Sequence, residues 1–155
     1  MRCQAARTDR ARPGRNPIID QACGEPRDGH ALDDNGDEFE GATLLHADLH
    51  AGNLLIDGTR CQIVDWSMAC RGAPWVDVAF LLPRLIDAGH TPAEAEDVAA
   101  RVPAWGAAPG DAVTALAATR ALFATRMADV GPAHLQAKRL RTAAACRAWV
   151  EYRTS

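Results

Sequence analysis

A mainly helical α+β domain carrying one short β-hairpin is the fold class this chain predicts, and three observations support it. Beyond residue 75, apolar residues recur at helical spacing almost to the end. One Asp-Gly turn signal, in Asp57-Gly58-Thr59, separates two short apolar runs. The length of 155 residues suffices for a single domain with a real core.

Residues 1–40 are rich in Arg, Asp, Gly and Pro, and their one large aliphatic pair is Ile18 and Ile19. Such a segment buries too little surface to offset its ordering entropy, so a disordered or weakly ordered leader is expected there, with the domain over 41–155. Residues 53–56 read as a strand and 61–64 as its return. In 75–82, Val76, Phe80 and Leu81 suit one buried helix face, and Pro83 is expected to kink or end that helix. Thr91-Pro92-Ala93-Glu94 is a capping box with proline in the first turn; it starts a helix expected to reach Val102, where Pro103 stops it. Two Ala-rich helices follow. The first, over 111–128, is expected to turn Val113, Leu116, Ala117, Leu122 and Phe123 inward, and the second, over 132–152, Leu135, Leu140, Ala144 and Trp149. Both stripes read as core, not as a ligand groove.

Composition excludes several function classes. The formal net charge is -3 and no basic patch stands out, which argues against nucleic acid as a partner. No window approaches the roughly 20 apolar residues of a membrane span, and the amino terminus lacks the apolar stretch of a secretory signal. The five cysteines form no Cys-x-x-Cys pair and are odd in number, a pattern that suits the cytoplasm. Cys61 and Cys70 lack further ligands at zinc spacing and read as ordinary thiols.

The chemistry concentrates in His46-Ala47-Asp48-Leu49-His50-Ala51-Gly52-Asn53 and in Ile63-Val64-Asp65-Trp66. Phosphoryl transfer requires an oriented hydroxyl and neutralised phosphate charge, with little covalent work for the protein. Asp48 is the candidate to accept the hydroxyl proton. The amide oxygen of Asn53 and the carboxylate of Asp65 are hard ligands suited to Mg²⁺. Folding the hairpin sets Asn53 opposite one of residues 62–64, so Asp65 lies within one to three positions of it, at a rise of roughly 3.3 Å per residue. His46 and His50 read as loop scaffolding in preference to a general base or metal ligands.

These segments resemble the catalytic and metal-binding loops of the aminoglycoside phosphotransferase and choline kinase-like family, relatives of the protein kinases. A third family segment is matched by Gly72-Ala73-Pro74-Trp75-Val76-Asp77-Val78-Ala79. The resemblance implies the large, carboxy-terminal lobe of the protein kinase-like fold, with Asp48 as catalytic base, Asn53 and Asp65 as ligands of Mg²⁺ and hence of the ATP or GTP phosphates, and Asp77 as a structural carboxylate. Ala47 stands where the family commonly has glycine. The family's small lobe carries a phosphate-holding lysine, whereas the one lysine here is Lys138, near the end of the chain. The amino-terminal lobe is therefore expected to be missing, and a separate small lobe or partner chain to complete the cleft.

Three functions compete: a small-molecule kinase acting on a substrate hydroxyl, an inactive truncated large lobe serving as a binding or interaction module, and a metal-dependent hydrolase using Asp48 and Asp65. The last lacks a dense ligand cluster. The acceptor is open, since Asp87, Glu94, Glu96, Asp97 and Asp111 read either as a wall for a cationic substrate or, preferably, as solvated helix faces.

Overall fold

Short strand pairings set the path of the chain. In the computed structural model, which describes residues 37–155, β1 (Thr43–Leu45), β2 (Leu54–Asp57), β3 (Arg60–Ile63) and β4 (Cys70–Gly72) form two antiparallel ladders, β1 with β4 and β2 with β3. Four helices follow, α1 (Val76–Asp87), α2 (Pro92–Ala99), α3 (Gly110–Val130) and α4 (Gln136–Thr154), giving the mainly helical α+β fold that the periodicity predicts. The expected leader lies almost entirely outside the described residues. Its last residues are packed: Asp37–Phe39 form a 3₁₀ turn, and Phe39 is buried with its ring 5.2 Å from that of Trp75.

The hairpin register pairs Leu54 with Ile63 and Asp57 with Arg60, leaving Gly58 and Thr59 as the turn, with Gly58 at φ +56. The β1–β4 ladder, pairing Leu45 with Cys70 and Thr43 with Gly72, is not legible in the sequence, because three-residue strands establish no alternation. It closes a loop. The chain leaves β1, runs through the hairpin, returns beside β1 and enters α1 next to the point where the loop began.

Two expected helix ends move. Pro83 does not end α1, which continues to Asp87. Proline removes one intrahelical bond, but Leu82 and Pro83 are both buried in the core, and that packing outweighs the local penalty. The helix stops instead at Gly89, φ +109, where Gly89 N–H bonds the Ile86 carbonyl and His90 N–H bonds that of Leu85. Conversely α2 ends at Ala99, short of Val102, because Pro103 forces its predecessor into the extended backbone that Val102 adopts. Its start is as expected, with Thr91 Oγ1 accepting from Glu94 N–H and the Glu94 carboxylate accepting from Thr91 N–H.

The long helices α3 and α4 pack along each other, and α4 also contacts α1 and α2. The inward stripe of α3 holds Val113, Leu116, Ala117, Arg120, Ala121 and Ala124. Leu122, expected inward, is 74% exposed because its position at 100° per residue falls off that stripe. On α4 the buried residues are Ala143, Ala145, Cys146 and Trp149, whereas Leu140 and Ala144 are exposed. Phe123 and Leu135 are half-buried.

Trp149 is fully buried, and its indole N–H donates to Glu96 Oε1 at 2.7 Å, an oxygen that Arg153 also contacts. Replacing Trp149 by Ala should therefore cost about 3–5 kcal/mol of stability. Urea unfolding of Trp149→Ala checks this, and a loss below about 1 kcal/mol would show that the site collapses around the change.

Candidate active site

Every expected site residue lies on the loop between β1 and β2, at the end of β3, or at the start of α1. Asp77, in the first turn of α1, reaches back to that loop: its Oδ2 accepts from His46 N–H at 2.7 Å and its Oδ1 from Ala47 N–H at 2.8 Å. One carboxylate thus fixes two consecutive peptide groups immediately ahead of Asp48. Ala47 is held at φ 63, in the left-handed region that disfavours any side chain. This accounts physically for a preference for glycine there.

His46 is 1% exposed and wired on both nitrogens. Its Nδ1 lies 3.2 Å from Asp48 N–H and accepts from it, so the proton sits on Nε2, which donates to the Val64 carbonyl at 2.8 Å. An edge contact with the Trp66 ring, centroids 4.9 Å apart, completes its surroundings. With both nitrogens engaged, His46 ties the loop between β1 and β2 to the end of β3 and has no lone pair for a metal. His50 caps the turn at Ala51–Asn53, its Nδ1 accepting from Gly52 N–H at 3.0 Å. A Cβ on Gly52 would stand 2.8 Å from the His50 ring, so glycine is needed for this approach.

Asp48 is oriented from α1. Its Oδ1 accepts from Arg84 Nη2 at 2.7 Å, while among the described residues Oδ2 makes no hydrogen bond and has His50 Nε2 at 3.6 Å. Arg84 was not anticipated from the sequence. It lies two helical turns beyond Asp77, so the two polar residues share the α1 face that meets the loop.

Asn53 is buried, and its Nδ2 donates to the Asp48 carbonyl at 3.0 Å, which leaves Oδ1 as the free acceptor. Val64 N–H bonds the Asn53 carbonyl at 2.9 Å, continuing the hairpin register, and Asp65 follows at once. Asp65 is exposed in a left-handed conformation, φ 60. Hydrogen bonds from the Ser67 hydroxyl and N–H hold its carboxyl below the ordinary carboxylate range, keeping it ionised. An amide oxygen and an ionised carboxylate on neighbouring segments are donors of the hard type that Mg²⁺ takes, with water and phosphate completing its shell. Among the described residues no group of three or more His, Cys, Asp and Glu side chains is placed to hold a metal.

Beside Asp48 opens a cavity of about 350 Å³ between α1, α3 and α4, lined by Arg84, Arg120, Phe123, Leu135, Lys138 and Arg139 among others. Asn53 and Asp65 are not part of its wall. Part of each expected core stripe, Phe123 and Leu135, therefore faces this cavity. The acidic residues weighed as a substrate wall are elsewhere: Glu94 caps α2, Glu96 holds Trp149, and Asp87 pairs with Arg141 at 3.3 Å.

Residues 30–122, more than half of the chain, match the profile described as the phosphotransferase enzyme family. No curated protein and no solved structure matches.

Two outcomes test this geometry. Ala47→Gly should relieve the left-handed strain and stabilise the protein by about 0.5–1 kcal/mol, read by urea unfolding; destabilisation would mean that the Ala47 side chain contributes more than its backbone costs. Ser67→Ala should raise the Asp65 pKa towards the ordinary carboxylate value in an NMR titration. Because the folded value is depressed, the stabilisation from Asp65 is present above the unfolded pKa and lost as pH falls through the folded one. An unmoved titration would show that Ser67 does not set the ionisation of Asp65.

Proposed function

The chain belongs to the phosphotransferase enzyme family, and we propose that it is a small-molecule kinase transferring the γ-phosphoryl group of ATP or GTP to a substrate hydroxyl. The observation that supports this reading is the placement of Asp48 on the wall of a cavity sized for a small molecule. Asn53, whose carbonyl takes the N–H of Val64, lies beside the segment that carries Asp65 and outside that wall, and in this reading the pair would hold metal and phosphate.

In this mechanism Arg84 holds Oδ1 of Asp48, so that Oδ2 accepts the proton of the acceptor hydroxyl. As the hydroxyl oxygen bonds to the γ-phosphorus, the bond from phosphorus to the bridging oxygen breaks and nucleoside diphosphate leaves. Asn53 Oδ1 and the Asp65 carboxylate are the groups that would hold magnesium, whose chemistry is to neutralise phosphate charge. Asp77 and His46 act through the backbone, fixing the loop that presents Asp48.

A second reading, the large lobe as a binding module without turnover, draws on one observation. Leu55, Ile56, Trp66 and Met68 are exposed on the hairpin and the turn next to Asn53 and Asp65, and Leu44 is exposed on β1. Such a surface suits a nucleotide base together with an opposing wall, which we assign to a small lobe or a partner chain that packs on the body formed by 41–155. Cys61 and Cys146 are free thiols, which suits the cytoplasm. Among the described residues no helix is long and apolar enough to cross a membrane.

Mg-nucleotide titration and a phosphoryl-transfer assay separate the readings. Asn53→Ala and Asp65→Ala should each weaken Mg-ATP or Mg-GTP binding about tenfold, and Asp48→Asn should lower transfer by at least about a hundredfold with the fold retained. Binding without any Asp48-dependent transfer would select the second reading. Nucleotide binding unchanged in both metal-site variants would remove the proposed site.

A further inference from the structure

The cavity beside Asp48 has an unusual charge for a protein of net charge -3: four cationic side chains, Arg84, Arg120, Lys138 and Arg139, face one carboxylate. Their partners do not account for them. Arg139 Nη1 donates to the Met127 carbonyl at 2.7 Å, and Arg84 Nη2 to Asp48, but Arg84 Nε is buried without a hydrogen-bond partner among the described residues. Arg120 is only 8% exposed, stacked at 4.5 Å over the Phe80 ring and beside the Cys146 thiol. Among the described residues no carboxylate lies within ion-pair distance of it. Its guanidinium cannot shed its proton to escape burial, so a charge hydrogen-bonded to the Cys146 thiol and offset by Asp48 only beyond ion-pair distance is held on the inward stripe of α3 among alanines.

A buried cation with no anion at ion-pair distance is costly unless a ligand supplies one. The ordinary alternative, that Arg120 merely fills volume, does not explain why Arg84, Lys138 and Arg139 converge on the same space. Because the cavity wall includes Asp48 but neither Asn53 nor Asp65, the cations stand on the acceptor side of the candidate base. We propose that this cavity is the acceptor pocket and that it selects a hydroxyl compound bearing a carboxylate or phosphate group over neutral and cationic amino compounds. The anion sits against Arg120 and Lys138, and the hydroxyl is directed to Asp48 Oδ2. The term acceptor rests on the kinase reading; the anion site itself does not.

Calorimetry on the 155-residue chain without nucleotide tests this, using D-glucuronate and glycerol 3-phosphate as anionic probes and D-glucosamine and choline as cationic ones, at matched ionic strength. At least one anion should bind saturably and about tenfold or more tighter than either cation, and Arg120→Met and Lys138→Ala should each weaken it about tenfold. Arg120→Met should do so without lowering the melting temperature, since it removes a buried charge that has no carboxylate at ion-pair distance. A purely structural arginine would give the opposite pattern. Should Arg120→Met fail to fold, Lys138→Ala, at an exposed position, still decides the matter. The proposal is overturned if neither anion binds saturably, if the cations bind as tightly, if both variants leave the affinity unchanged, or if Mg-ATP displaces the anion. Anion binding with this signature but no Asp48-dependent transfer would defeat the kinase reading and leave the anion site standing. Asp48-dependent transfer to glucosamine or choline would do the reverse.

Discussion

The carboxylate of Asp77 is the contact on which the arrangement of the site depends. Its two oxygens take the N–H groups of His46 and Ala47, so the first turn of α1 is fixed against a backbone that Ala47 adopts at some conformational cost. The β1–β4 ladder makes the contact feasible by returning the chain to its starting point before α1 begins. From there the constraints propagate. His46 links the loop to Val64, Asn53 links it to Asp48, and Arg84, on the same face of α1, sets the direction of the carboxylate. The helix end contributes as well, since an anion in the first helical turn is favoured by the macrodipole.

The helical part of the molecule serves the site in a different way. α3 and α4 are rich in alanine and pack along each other, and the stripe they bury is apolar apart from Arg120. An apolar residue there would fit the core better, and the arginine is tolerated through its contacts with Phe80 and Cys146. Burial pushes its pKa down without removing the charge. A position that local stability does not favour, beside a cavity lined by the candidate base, accords with the anion site proposed above.

Much of the fold was legible where long-range contacts do not compete with local signals. The Asp57-Gly58 turn, the Thr91 capping box and the helical period of α3 and α4 each correspond to an element in place. Pro83 lies inside α1 because core packing overrides its tendency to end a helix, and Leu122 and Leu140 fall outside the buried stripes because hydrophobicity alone does not fix a residue's angle on the helix. The motif residues are brought together as their spacing implies, with Asn53 beside the Val64–Asp65 segment and Asp77 on the loop. Arg84 and Arg120 were missed, although signals existed. Arg84 repeats the position of Asp77 two turns on, and Arg120 interrupts an apolar stripe at its own helical period. Neither is readable until the helices are placed around Asp48, because a lone arginine on a helix is ordinarily solvated.

Amide hydrogen exchange in Asp77→Ala tests the central claim most directly, since it reads the loop and the helices separately. If the Asp77 carboxylate holds the loop, protection at Ala47, Asp48 and Asn53 should fall towards that of an open segment, while α3 and α4 keep theirs. Unchanged protection across the loop would contradict the account and mean that the His46 ring and the hairpin fix Asp48 without help from α1.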